Sequence, residues 1–312
     1  MRKAMVDLMK TKTAYERLNL KFYSGQDCYS DGTVEDDLLN IVECNRDVID
    51  ILSEDTRWPI LYHLSPQRRN LLEWYPFQSE AALLEIGAGC GALTGLFCEK
   101  VSHVTAIELS KRRAMILLKR HRRHQNLEVI VGNLQDIKLQ RQFNYVTLIG
   151  VMEYTKSFVH TPHPYRDFLQ KVIGCMKPSG KVFIAIENKL GLKYFSGHPE
   201  EHTGKMFEGI QGYPSNSTIE TFGKQEICEL LLDNGLINLE FYYPYPDYKL
   251  PDEVYSDGYL PDVSSFLKNI PNFDREKFVF FNERLAWLNI IKNKCFDIFA
   301  NSFLIIGKKS SS

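Results

Sequence analysis

Short apolar runs of strand length, each bounded by glycine or polar residues, recur through the middle of the chain. Ala82–Ile86 leads into the turn GAGCGALTG. His103–Leu109, Leu127–Asn133, Tyr145–Val151 and Lys181–Asn188 follow, and Leu236–Tyr245 and Phe303–Ile306 come late. Between them lie stretches with helical spacing: KRRAMILLKRHRRH, capped by Ser110, and QEICELLLDNG, which starts after Thr221-Phe222-Gly223-Lys224 and stops at Gly235. This alternation predicts an α/β fold built on a doubly wound, Rossmann-like sheet. Ahead of the first strand, Val34–Leu52 carries apolar residues at near-helical spacing, and Ser65-Pro66 reads as a helix start. Residues 1–70 are therefore a helical N-terminal cap ahead of a main domain over 71–309, serving as packing or as a lid that excludes water. Trp74, Tyr75 and Phe77 read as core.

Two segments break the periodicity. Residues 189–222 are polar, punctuated by glycine and longer than an ordinary connection, the profile of a functional loop. Pro244 and Pro246 argue against a continued central strand, so Pro244–Pro251 reads as a rigid loop displaying Tyr245, Asp247, Tyr248 and Lys249. Residues 245–297 form an insertion before the last strand, irregular over Asp252–Pro261 and helical over Phe278–Phe296.

The turn after Ala82–Ile86 carries the first chemistry. Gly87, Gly89 and Gly91 permit a tight backbone with no Cβ in the way of a ligand. Gly87-x-Gly89-x-x-Ala92 also satisfies the dinucleotide fingerprint, which receives a pyrophosphate at a helix N-terminus. Glu85 separates the two readings: a carboxylate there repels a pyrophosphate and attracts an ammonium or sulfonium cation. S-Adenosylmethionine is thus favoured over NAD. Glu108 closes the second strand about 20 residues beyond the glycines, where an acid hydrogen-bonds ribose hydroxyls.

Composition narrows the partners. A formal net charge of −1 over 312 residues gives no global attraction to polyanions, and 44% hydrophobic residues suffice for a large core. Seven cysteines without a CxxC pair fit a reducing compartment and disfavour zinc. No run approaches the roughly 20 apolar residues of a membrane span, and the expectation is a cytoplasmic protein. The basic helix after Ser110, with Lys111, Arg112, Arg113, Lys119, Arg120, Arg122 and Arg123, is either a solvated outer face or a footprint for nucleic acid.

LEIGAGCG, with an acid ending the next strand, resembles the class I methyltransferases. The resemblance implies a seven-stranded sheet whose final strand lies antiparallel between the fifth and sixth. It also implies a cofactor set of Glu85, Gly87, Ala88, Gly89, Gly91, Glu108, Leu109, Asn133, Leu134, Gly150 and Glu153, with Asn133-Leu134 or Asp136 at the adenine. The run through NLEVIVGN is similar to the ribosomal RNA adenine dimethylases. However, Gly150-Val151-Met152-Glu153-Tyr154 lacks their amide and proline, so the residues that hold an adenine amine are missing. Glu187–Tyr213 and Phe241–Pro251 resemble a bacterial class I subgroup encoded with cell-surface polysaccharide synthesis. That resemblance implies O-methylation of a sugar or lipid-linked glycan acceptor, with glycosyltransferases of the same pathway as partners. The aromatic residues Tyr194, Phe195, Tyr213, Tyr245 and Tyr248 suit sugar stacking.

Removing a hydroxyl proton needs a base of near-neutral pKa. His202 is the first candidate, oriented by Glu200 or Glu201, with His198, Asp247 and Tyr154 as rivals. Glu153 with Glu187-Asn188 raises a Mg²⁺ alternative with an incomplete ligand set, and no metal is assigned. Two other readings stay open: a nucleic-acid methyltransferase using the basic helix, and a non-catalytic cofactor-binding subunit of a glycan-assembly complex.

Overall fold

The computed structural model describes residues 15–27, 29–44, 46–264 and 276–310. Its apolar runs form one mixed sheet of nine strands: β1 (Leu18–Phe22), β2 (Ala82–Ile86), β3 (His103–Glu108), β4 (Leu127–Gly132), β5 (Phe143–Ile149), β6 (Met176–Glu187), β7 (Leu236–Tyr245), β8 (Glu253–Ser256) and β9 (Ser302–Lys309). The order is β1-β4-β3-β2-β5-β6-β9-β7-β8. β1 to β6 run parallel, and β9 lies antiparallel between β6 and β7, as the resemblance implies.

The sheet has nine strands and not seven because both edges are extended. β1 falls inside the predicted helical cap, where LNLKF is too short to show a period, and it pairs with β4 from Leu18 opposite Val129. β8 falls inside the stretch predicted to be irregular and pairs with β7 from Tyr242 opposite Ser256. β7 continues through Pro244, where a loop is predicted. The proline is tolerated because the pairing of β7 with β9 ends at Tyr242.

The helices depart from their predicted bounds in a similar way. Val34–Leu52 is two helices, α1 (Val34–Glu43) and α2 (Val48–Glu54), the second capped by Asp47 Oδ1 accepting from the Ile49 amide at 2.7 Å. α3 spans Trp58–Leu64, and Ser65-Pro66 opens a 3-10 helix over Pro66–Leu71. Then come α4 (Thr94–Lys100), α5 (Lys111–Arg120), α6 (Thr155–Phe158), α7 (Pro164–Gly174), α8 (Leu192–Phe195) and α9 (Lys224–Asp233). Phe278–Phe296 contains α10 (Glu283–Lys292), followed by α11 (Phe296–Phe299). Residues 1–14 of the predicted cap and 265–275 of the predicted insertion lie outside the described residues.

Alternate side chains of the buried strands feed two cores, as the two-residue period requires. One face sets Leu84, Val146, Leu148 and Ile184 against Phe168 and Leu169 of α7 and Ile227 and Leu231 of α9. The other sets Leu83, Val104, Val129 and Phe183 against Phe97 of α4 and Leu117 of α5. Tyr75 and Phe77 join this second face, 4.7 Å from Phe183 and 5.2 Å from Tyr145 between ring centres, while Trp74 is 43% exposed. A third cluster packs Leu38, Ile51, Ile60 and Leu64 onto Cys90 of the glycine turn and Ile116 of α5. The N-terminal helices are thereby fixed over the turn.

That packing also accounts for the basic helix. Arg113 is buried against Glu35 at 2.7 Å and Asp31 at 2.8 Å, and Asp27 accepts from the Lys111 and Arg112 amides. Lys119 pairs with Glu43, and Arg120 donates to the His63 carbonyl at 2.6 Å. The side chains of Arg113, Lys119 and Arg120 thus face acidic and carbonyl groups of their own chain, while those of Lys111 and Arg112 stay exposed.

Candidate active site

Adjacent parallel strands end their carboxyl termini at one level, and the order reverses between β2 and β5. Such a switch point opens a crevice. Glu85 near the end of β2, Glu108 at the end of β3, Gly150 and Glu153 just beyond β5, and Glu187 at the end of β6 all line one cavity of about 440 Å³. Segments far apart in the chain close it: Tyr29 and Asp31, Trp58 and Pro59, Tyr62 and His63, Arg68, Glu201 and His202, and Tyr248 with Lys249.

The glycine turn forms one wall. Gly87 has φ +71°, and a Cβ there would meet Val151 Cγ2 at 2.5 Å, so only glycine fits. Gly89 and Ala88 also line the cavity. Gly91 does not: its carbonyl accepts from His121 Nε2 at 2.7 Å, and a Cβ would meet that ring at 2.9 Å. Its role is to let α5 and its C-terminal histidine approach the turn. Glu108, 5% exposed, accepts from the Gly89 amide at 2.7 Å and the Ser110 amide at 2.9 Å. Its carboxylate thus joins the glycine turn to the start of α5. Glu85 accepts from Thr94 Oγ1 at 2.6 Å, and burial pushes its carboxyl up to about 8. An ammonium or sulfonium beside it would restore its charge.

Leu109, Leu134 and Phe158 give the cavity an apolar side. Asn133 lines it too, but its amide is committed: Nδ2 donates to the Phe158 carbonyl at 2.9 Å and Oδ1 accepts from the Gln135 amide at 3.0 Å. Asp136 is exposed and off the lining.

The opposite end is a cluster of buried charge. Donor atoms of Glu153, Glu187 and His202 lie within 4.8 Å of one another. Glu200 takes His202 Nδ1 at 2.9 Å and accepts from the His202 and Thr203 amides, so it orients the imidazole from behind without lining the cavity. Glu201 instead bridges Lys193 and Lys249. Lys249 also meets Glu187 Oε1 at 2.8 Å, and Tyr248 donates to the same oxygen at 3.2 Å. Asp247 sits outside the lining, accepting from the Lys249 amide and lying 3.6 Å from Lys193. Tyr154 meets His202 edge-on at 5.3 Å, and its hydroxyl lies 3.1 Å from that of Tyr29. His198 faces Pro199 and Tyr194, off the cavity.

Electrostatics sort these groups. Burial, then the neighbouring Glu187 charge, pushes Glu153 up to about 8. Burial opposes the Glu187 charge as well, but Lys249, His202 and Lys193 outweigh it and hold that carboxyl well below the usual range. Burial also disfavours the His202 imidazolium, yet Glu200, Glu187 and Glu153 raise it to about 9.

Arg68 has no signal in the sequence. It stands in a 3-10 turn without periodicity, yet it is 4% exposed, lines the cavity, and has an Nε without a partner. Asn188 drops out as a ligand, because its Nδ2 donates to the Ile298 and Ala300 carbonyls and its Oδ1 accepts from Leu190.

Residues 84–182 match the family described as a methyltransferase domain. The chain is 29% identical over 213 residues to malonyl-[acyl-carrier protein] O-methyltransferase of Priestia megaterium, covering 66% of this chain and 71% of that one. It is 21% identical over 188 residues to ribosomal RNA small subunit methyltransferase A of Fusobacterium nucleatum, covering 60% and 67%. Among solved structures it is similar to phosphoethanolamine N-methyltransferase 2 of Haemonchus contortus in complex with S-adenosyl-L-methionine. The TM-score is 0.47 at 17% identity, over 78% of this chain and 52% of that longer one.

Proposed function

We propose that this chain, an S-adenosylmethionine-dependent methyltransferase, methylates a hydroxyl of a sugar or lipid-linked glycan acceptor. The carrying observation is that one cavity joins the glycine turn and Glu108 to His202, with Glu200 bound behind the imidazole. When bound, S-adenosylmethionine supplies an electrophilic methyl group on a sulfonium. Transfer forms an O–C bond, breaks the S–C bond and releases S-adenosylhomocysteine and one proton.

The residues suit the cofactor. Glu108 faces the ribose position, Leu109, Leu134 and Phe158 offer contact for the adenine ring, and Glu85 favours the cationic end. The free Arg68 Nε is a donor for the carboxylate. At the acceptor end the chain orients the hydroxyl, excludes water and receives its proton on the neutral form of His202, whose Nδ1 is held by Glu200; because the carboxylates raise this imidazole to about 9, turnover should climb as pH rises toward that value. Glu153, Glu187 and Glu201 line this end and accept hydrogen bonds from hydroxyls, with Lys249 offsetting the charge of Glu187 and Glu201.

Incubation with methyl-labelled S-adenosylmethionine and fractionated bacterial glycans, nucleotide sugars and lipid-linked sugars tests the reading. The expected product carries label in an alkali-stable methyl ether. Label in RNA, or in a base-labile methyl ester, would overturn it.

A further inference from the structure

Glu153 and Glu187 hold more than a hydroxyl needs. Both are buried, at 1% and 0% exposure, both line the cavity, and each has an Oε2 with no hydrogen-bond partner. A buried, unpaired carboxylate oxygen is costly in a folded protein. Here the two carboxyl groups stand just beyond β5 and at the end of β6, with one oxygen of each within 4.8 Å of the other. Their remaining contacts fix them in place. Glu187 Oε1 is held by Lys249 and Tyr248, and the 3-10 turn Met152–Tyr154 that carries Glu153 is tied by its carbonyl to the Glu220 amide at 3.2 Å. The pair is rigid, acidic and open only toward the cavity.

We propose that Glu153 and Glu187 bind a hard divalent cation of the Mg²⁺ or Mn²⁺ type, whose open positions take oxygens of the acceptor. Mg²⁺ takes oxygen ligands at about 2.0–2.1 Å, so two opposite ligands stand about 4.2 Å apart, and one or two protein carboxylates plus substrate oxygens are enough. Two carboxylate oxygens within 4.8 Å need at most a small side-chain shift to reach that spacing. His202 is the third corner of the same triangle, within reach of an oxygen bound to the cation. A coordinated hydroxyl is more acidic, and the cation's charge disfavours the imidazolium, so the proton can pass to a neutral His202. Lys249 stays on the far oxygen of Glu187 and on Glu201, leaving Glu187 Oε2 for the ion. Two adjacent oxygens of a sugar diol are the natural chelate for such an ion. This inference rests on the acceptor end assigned above, but its test does not.

The test titrates the full-length protein with Mn²⁺ alone and follows free Mn²⁺ by its electron paramagnetic resonance signal. One Mn²⁺ per chain is expected, with Glu187→Gln and Glu153→Gln each weakening binding at least 10-fold. Unchanged thermal unfolding midpoints of the two variants show that they fold. No binding by the wild-type chain up to millimolar Mn²⁺, or equal binding by both folded variants, overturns the proposal. Mn²⁺ binding at this pair with no hydroxyl methylation retains the cation site and removes the O-methyl reading. Full methylation in excess chelator with no Mn²⁺ bound does the reverse.

Discussion

At the scale of single residues, three substitutions separate cofactor binding from chemistry. Gly87→Ala places a Cβ 2.5 Å from Val151 Cγ2 at a backbone angle that disfavours a side chain. It should weaken S-adenosylhomocysteine binding at least 10-fold by calorimetric titration. Glu108→Ala removes the acceptor that ties the Gly89 and Ser110 amides together at the cavity wall. A loss of similar size is expected, and NAD should bind neither protein. His202→Ala should leave cofactor affinity within about threefold and lower turnover at least 100-fold, the range for losing a general base. Equal turnover would remove His202 from that role.

At the scale of elements, the N-terminal helices are the part whose purpose shows only in contacts. Arg113 of α5 is 7% exposed at its side chain and lies between Glu35 of α1 and Asp31, with its guanidinium 4.5 Å from the Tyr29 ring centre. Asp31 also meets His63 of α3 at 2.9 Å. Removing one member of a buried charged set costs about 3–5 kcal/mol, because the partners are left buried and uncompensated. Arg113→Ala should lower unfolding stability by about that much in denaturant titration. It should also weaken cofactor binding, since Tyr29 and Asp31 line the same cavity. Stability near that of the parent protein would mean that the cap is held by its apolar cluster alone. Arg113, Lys119 and Arg120 are committed to this docking, which leaves fewer cations of the helix for a polyanion.

At the scale of the whole molecule, the formal net charge of −1 and the internal pairing of Arg113, Lys119 and Arg120 predict little RNA retention on filters near 0.15 M salt. Steep, salt-sensitive retention would restore the nucleic-acid reading. Binding of a cofactor to the folded state alone should raise the unfolding temperature. At 100 times the dissociation constant the gain is about 2.7 kcal/mol, a shift of a few degrees for a chain of this size. S-Adenosylhomocysteine should produce the shift and NAD none.

Local grammar determined a good deal of this protein. The apolar runs marked β2 to β6 and the place of β9, and the spacing of Glu85, Gly87, Gly89 and Glu108 marked a cofactor turn, because strand, turn and helix start are neighbours in the chain. Most of the site residues read from these motifs line the cavity; Gly91, Glu200 and Asp247 stand behind it. Tertiary structure decided the rest. LNLKF and EVYS became strands only because open sheet edges offered them hydrogen bonds. Arg68 entered the cavity from a turn with no periodicity. Glu153, Glu187 and His202, apart in sequence, converged because two strand ends and one loop meet at the switch point, where long-range packing sets the distances between charges.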